Sequence, residues 1–158
     1  MNNLFLGLGT NLGDKKKNII LALKYIEKES DTYSIGEITK KSSIYKTKAQ
    51  GFESEHDFLN MAIEVQTNYL PFEILEKIEL IEKKIGRDHK SMNKSYEDRI
   101  IDIDILYFND LIIQEEKLSI PHPEIKNRKF VLEPLCEIAP NLIDPIEKKS
   151  IQMLLSEL

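Results

Sequence analysis

FLNMAIEVQT, Phe58–Thr67, changes side-chain character residue by residue, and that alternation frames the rest of the chain. Successive side chains of a strand point to opposite faces, so Leu59, Met61, Ile63 and Val65 are expected on the core side. Phe58, Asn60, Ala62 and Glu64 then share the other face, which places Asn60 off the core side. Upstream, Ile35 to Lys46 reads as a second strand, and the AQGFESEHD between them, with Gly51 and dense charge, as a surface loop. Further upstream, Leu4 to Leu8 reads as a buried strand and GTNLGD as a turn. An amphipathic helix carrying Ile19, Ile20, Leu23 and Ile26 follows.

Downstream, Pro71 suits a first helical position and Gly86 a stop signal, so a helix is predicted from Pro71 to Ile85. After a polar loop comes a strand from Ile100 to Tyr107. The order βαββαβ predicts an α+β fold with a ferredoxin-like core, helices on one face of an antiparallel sheet and the other face left available. The tail from Leu118 reads as a short strand, a PHP turn, a helical stretch from Val131 to Ala139, and an amphipathic end bearing Ile151, Leu154, Leu155 and Leu158.

With 22 Lys and Arg against 27 Asp and Glu, the formal net charge is -5. That balance argues against coating nucleic acid or anionic membrane, which needs a basic excess, so any phosphate site must be local. The one cysteine, Cys136, has no internal partner and reads as a small core residue. Met1 to Leu6 lacks a signal-peptide pattern, and a reducing cytoplasm is expected. No apolar run approaches the roughly 18 residues of a membrane helix. A single domain over residues 1–158, acting as a monomer, is the expectation.

Chemistry concentrates in RIIDIDIL, Arg99–Leu106. Alternation sets Ile101, Ile103 and Ile105 on one face and Asp102 with Asp104 on the other. Two carboxylates held side by side repel, and a hard divalent cation such as magnesium relieves that repulsion. The same pattern also suits an edge strand whose polar face meets water. Strict alternation would put Arg99 on the isoleucine face, so it must precede the regular strand to reach a ligand of the carboxylates. In the preceding helix, Leu75, Ile78, Ile81 and Ile85 form an apolar arc with Glu82 near its centre and Glu79 close by. A buried carboxylate is costly unless paired; a wide arc reaching solvent would explain it as well as a functional role. IGRDHKSMNKSYEDR, Ile85–Arg99, gathers Arg87, His89, Lys90, Lys94 and Arg99 in an acidic protein, a composition suited to a lid over polyphosphate.

The glycines of GLGTNLG miss the dinucleotide-binding spacing by one position and no G-K-[ST] follows, so a strand-to-helix turn is the better reading. His122, fixed between Pro121 and Pro123, reads as a structural turn histidine or a ligand-facing one.

Taken in order, LGLGTNLGD (Leu6–Asp14), SSIYKT (Ser42–Thr47), DFLNMAIEV (Asp57–Val65), EKKIGR (Glu82–Arg87), RIIDIDIL (Arg99–Leu106), SIPHP (Ser119–Pro123), NRKFVLEPL (Asn127–Leu135) and EIAP (Glu137–Pro140) resemble the hydroxymethyl-dihydropterin pyrophosphokinase family along nearly the whole chain. Each motif is modest alone; their joint order and spacing is specific. The resemblance implies an ATP slot and a 6-hydroxymethyl-7,8-dihydropterin slot meeting at two magnesium ions held by Asp102 and Asp104. It implies that Glu82, Arg87, Arg99, Ile103, Ser119 and His122 contact ATP, the two arginines and His122 at the phosphates. It further implies that Asn60 hydrogen-bonds the pterin edge, Phe130 stacks on its ring, Thr47 borders that pocket, and Asp102 reaches it. An asparagine amide offers both the donor and the acceptor that such an edge requires.

The implied reaction is in-line attack of the pterin hydroxymethyl oxygen on the β-phosphorus of ATP, with AMP leaving. Arg87, Arg99, Asp102 and Asp104 would be the catalytic set. SYEDR, Ser95–Arg99, replaces a tryptophan- and proline-bearing run of relatives, so Tyr96 with Lys90 or Lys94 would supply the lid's aromatic and basic contacts. Another metal-dependent nucleotidyltransferase, or a non-catalytic ligand-binding domain of the same fold, are the rival classes.

Overall fold

The computed structural model describes residues 1–27, 31–48, 57–87 and 100–158. β1 (Asn2–Thr10) lies between β4 (Phe58–Thr67) and β5 (Asp102–Phe108), antiparallel to both. β2 (Glu37–Lys41) and the three-residue β3 (Tyr45–Thr47) both pair with β4, giving a sheet ordered β2-β4-β1-β5 with β3 alongside β2 on β4. The predicted strand from Ile35 to Lys46 is therefore two strands. The break falls at Ser42, whose N–H donates to the Ala62 carbonyl and whose hydroxyl accepts from the Ala62 N–H, both at 2.9 Å.

α1 (Lys15–Glu27) and α2 (Pro71–Arg87) cover one sheet face, as expected. Leu4, Leu6, Leu8, Met61, Ile63, Val65, Ile101, Ile103 and Ile105 meet Ile19, Ile26, Ile74, Ile78 and Ile81 there, and fourteen such side chains removed from water supply most of the fold's driving force. Two expectations fail in detail. Ile20 is exposed, because Asn18, Ile19, Ala22 and Ile26 make the buried stripe of α1. Gly86 does not stop α2, which runs on to Arg87; nothing lies within 4 Å of its missing Cβ. Gly13, with φ of 72°, is where the turn before α1 needs a glycine.

The second face is not left bare. α3 (Lys129–Ile138), beginning two residues earlier than the sequence suggests, and α4 (Ile151–Ser156) pack on it after the small β6 (Ile113–Gln114) and β7 (Ser119–Ile120) ladder. Phe5, Ala62, Leu106, Tyr107, Leu132, Leu135, Ile151 and Leu154 form this second core, and Cys136 borders it. Leu158, expected on the apolar side of the tail, is exposed. A bulge makes the second core possible: Phe5 pairs with Tyr107 and Leu6 with Ile105, so Leu106 is the extra residue and turns to the same face as Tyr107. The Tyr107 hydroxyl donates to Asp144 at 2.5 Å inside this core, and burial pushes its pKa up. At the ends of these strands Gly9 and Asp102 are half-buried and Asn60 is buried.

Candidate active site

Register builds the site. Gly9 of β1 pairs with Asn60 on one side and with Asp102 on the other, and Tyr45 of β3 pairs with Asn60. Directly paired residues share a face, so Tyr45, Asn60, Gly9 and Asp102 form one row across four strands. In the next row Gly7 stands between Ala62 and Asp104. The row therefore runs from an amide to a carboxylate across a strand that contributes no side chain there. A Cβ built on Gly9 would lie 3.1 Å from Asn60 Oδ1, so the glycine keeps that space open.

Asn60 is buried, with Nδ2 donating to the Thr47 hydroxyl at 2.9 Å. Thr47, expected to border the pterin pocket, thus fixes the orientation of the asparagine amide through its side chain. Phe58 shares the Asn60 face and pairs with Thr47. Phe130 opens α3 and is half-buried, with the Arg128 guanidinium 5.7 Å from its ring centre. Thr47, Asn60 and Phe130 thus come from three elements around one sheet face.

The second half lies along the outer edge of β5. A cleft of about 260 Å³ is lined by Asp104, Ile103, Ser119, His122, Leu75 and Ile78, with Glu116 and Lys117 at its rim. Glu82, the anomaly of the apolar arc, accepts the Ile103 N–H at 2.9 Å, which satisfies a carboxylate inside an apolar surface and ties α2 to the strand of the aspartates. His122 Nδ1 accepts from the Glu124 N–H at 3.1 Å, leaving Nε2 as the donor of the neutral ring. Burial lowers the His122 pKa below 6.5, the Arg128 charge lowers it further, and Asp102 opposes both. Asp102 and Asp104 are half-buried, on the face opposite Ile101, Ile103 and Ile105 as the alternation requires, and two residues apart on a strand sets their Cα atoms about 7 Å apart.

The start of β5 is pinned from below. The Thr10 hydroxyl donates to the Ile100 carbonyl, and Asn18 Nδ2 donates to the same carbonyl at 3.2 Å and to Leu12 O at 2.9 Å. Arg87 closes α2. Arg99 and the lid positions Lys90, Lys94 and Tyr96 lie outside the described residues. Sequence reasoning missed Arg128, Glu116 and Lys117. Arg128 stood inside a quoted motif, NRKFVLEPL, and its charge next to a stacking residue was the available signal.

Residues 5–140 match the family described as 7,8-dihydro-6-hydroxymethylpterin-pyrophosphokinase (HPPK). The chain belongs to that family. The HPPK reaction, transfer of diphosphate from ATP to the hydroxymethyl group of the dihydropterin in folate biosynthesis, is accordingly its chemistry, and it is an ATP-dependent diphosphotransferase. A 2-amino-4-hydroxy-6-hydroxymethyldihydropteridine pyrophosphokinase of Aquifex aeolicus is 40% identical over 152 residues, covering 96% of this chain and 89% of that protein. The Bacillus subtilis protein of the same name is 40% identical over 139 residues, covering 87% and 79%. Among solved structures, the wild-type Plasmodium falciparum HPPK-DHPS with SDX-DHP superposes with a TM-score of 0.76 at 21% identity. That match spans 99% of this chain and 43% of the longer one, and it supports the fold. The rival classes named above fall to the family match.

Proposed function

We propose that residues 1–158 act as one HPPK domain in which the Asn60–Gly9–Asp102 row carries the pterin and the cleft along β5 carries ATP. The observation behind this is the row itself: an amide suited to a pterin edge and a carboxylate suited to a metal stand on either side of a glycine, with a second carboxylate facing the cleft. Their Cα atoms are about 10 Å apart at two strand spacings, a gap that a bicyclic ring and its hydroxymethyl group can bridge.

Among the described residues no group of three or more His, Cys, Asp or Glu side chains could hold a metal ion. A carboxylate pair nonetheless fits magnesium, which takes one or two protein carboxylates and completes its shell with water and substrate phosphate oxygens. Asp102 and Asp104 would hold two such ions, which supply charge neutralisation on the triphosphate when bound. The rest falls to the chain's own side chains. Asn60, held by Thr47, orients the pterin; Phe130 stacks on the ring; His122 offers its Nε2–H to phosphate across neutral pH; Ser119, Ile103 and Glu82 border the nucleotide; Arg87 and Arg99 balance phosphate charge. The pterin hydroxyl oxygen attacks the β-phosphorus, the bond to the α-phosphate oxygen breaks, and AMP carries that oxygen away.

We also read the protein as a monomer and as cytoplasmic, the single cysteine, Cys136, fitting a reducing compartment; among the described residues no helix is long and apolar enough to cross a membrane. Binary titrations test the site assignment. Asn60→Ala should weaken a pterin and spare an ATP analogue, whereas Asp104→Ala should abolish turnover with the pterin still bound. Loss of ATP binding in the Asn60 variant would contradict the division of the site.

A further inference from the structure

The sheet row does not end at Asn60. Beyond it stands Tyr45, whose hydroxyl donates to Glu137 Oε1 at 2.7 Å. The same carboxylate accepts the Ser43 N–H at 3.1 and 3.0 Å and the Ser43 hydroxyl at 3.1 Å. One side chain near the end of α3 thus gathers three donors from a single three-residue stretch. The Tyr45 hydrogen bond is the largest reason the Glu137 pKa falls below the ordinary carboxylate range, and the same contact pushes Tyr45 up to about 12. Neither group touches the β5 cleft.

What this cluster connects gives it meaning. β3 is only three residues long and, among the described residues, pairs with β4 alone, so its own ladder fixes it weakly. Thr47, at the end of β3, carries the acceptor that orients Asn60. Phe130 lies seven residues before Glu137 on the same helix, about 10 Å along its axis. One helix therefore carries the expected aromatic wall of the pterin pocket at one end and, at the other, an anchor for the strand that bears Thr47. Lys40 adds a weaker tie, its Nζ donating to the Ile138 carbonyl at 3.4 Å.

We propose that Glu137 is a positioning residue for the pterin: by holding Ser43 and Tyr45 to α3, its carboxylate sets the spacing between Phe130 and the Thr47–Asn60 pair. This rests on the assignment of that pair and Phe130 to the pterin. The role belongs to pterin affinity alone, because the cleft that receives ATP is built from α2, β5 and β7.

The test is binding of 6-hydroxymethylpterin and of a non-hydrolysable ATP analogue, with steady-state kinetics, for wild type and for Glu137→Ala, Glu137→Gln, Tyr45→Phe and Asn60→Ala. Glu137→Ala should raise the pterin Kd and KM about tenfold, with kcat within about twofold and ATP-analogue affinity unchanged, since misplacement acts on one substrate's fit. Glu137→Gln, which keeps an acceptor for Ser43, should recover part of the loss, and Tyr45→Phe should fall between. Because Glu137 is exposed, its variants are expected to fold. Unchanged pterin affinity in Glu137→Ala while Asn60→Ala is impaired overturns the proposal and leaves the pocket assignment standing. Equal loss of ATP-analogue and pterin affinity overturns it as a general loosening of the fold. If Asn60→Ala also binds pterin normally, the pocket assignment fails and the proposal with it.

Discussion

Asn60 and Asp102 lie on strands that are not neighbours, yet both pair with Gly9 and share one face of the sheet. Backbone pairing thereby sets the spacing of an amide and a metal-competent carboxylate with no side chain between them, and the Thr47 hydroxyl orients the amide.

Gly9 is the position within the site where a single methyl group should be felt. In Gly9→Ala the new Cβ would meet Asn60 Oδ1 at 3.1 Å, so the amide must shift or the pterin must. Pterin affinity should fall by roughly tenfold or more, about 1.4 kcal/mol per decade, with Tm lowered by no more than about 10 °C, as expected for mild overpacking. Isothermal titration together with a melting curve checks this; undiminished affinity would show that the space over Gly9 is not used.

Removing either aspartate should separate chemistry from folding. Asp102→Ala and Asp104→Ala are expected to lower kcat at least about 100-fold, the scale of losing a major charge-stabilising group, while Tm moves only a few degrees. Their side chains face away from Ile101, Ile103 and Ile105, which carry the packing. An unfolded variant would mark the carboxylates as structural. Chelating magnesium from the wild type should reproduce the kinetic loss.

Phe130→Ala should weaken pterin binding by about 1–3 kcal/mol, by analogy with base–aromatic stacking, and leave the ATP analogue nearly untouched. Comparing the two titrations decides it: equal losses would contradict the placing of Phe130 on the pterin side.

His122 carries a pH signature. Burial and then Arg128 depress its folded pKa below the ordinary 6.5, with Asp102 opposing. Between the two values the unfolded chain binds more protons than the folded one, so stability rises with pH across that window. The His122 contribution is therefore a destabilisation that sets in as pH falls below about 6.5 and is absent above it. In the ligand-free protein, an NMR titration of the imidazole should give a midpoint below 6.5, and Arg128→Gln should raise it. A midpoint at or above 6.5 would contradict the burial of the ring in its neutral form.

Much of this arrangement was legible in the sequence because it depends on period. Alternation over Phe58–Thr67 put Asn60 on the correct face, and alternation over Ile101–Ile105 separated the aspartates from the core. What alternation could not convey was the bulge at Leu106, which flips the end of β5 and lets α3 and α4 cover a face expected to stay open. Ala62 is ambiguous as a single letter, and only Leu132 and Leu135 packing opposite make it core. Glu82 illustrates the reverse case: its misfit on an apolar arc was visible, but its partner, a main-chain N–H on a strand twenty-one residues away, is invisible to any side-chain pattern. The Glu137 cluster has the same cause, since its donors lie more than ninety residues upstream in the chain.

The fate of a labelled phosphorus tests the reaction most directly. ATP labelled at the β-phosphate, incubated with the protein, magnesium and 6-hydroxymethyl-7,8-dihydropterin, should deliver the label to the pterin and leave unlabelled AMP as the other product. Label retained in ADP, with a singly phosphorylated pterin, would contradict attack at the β-phosphorus and the site geometry derived from it.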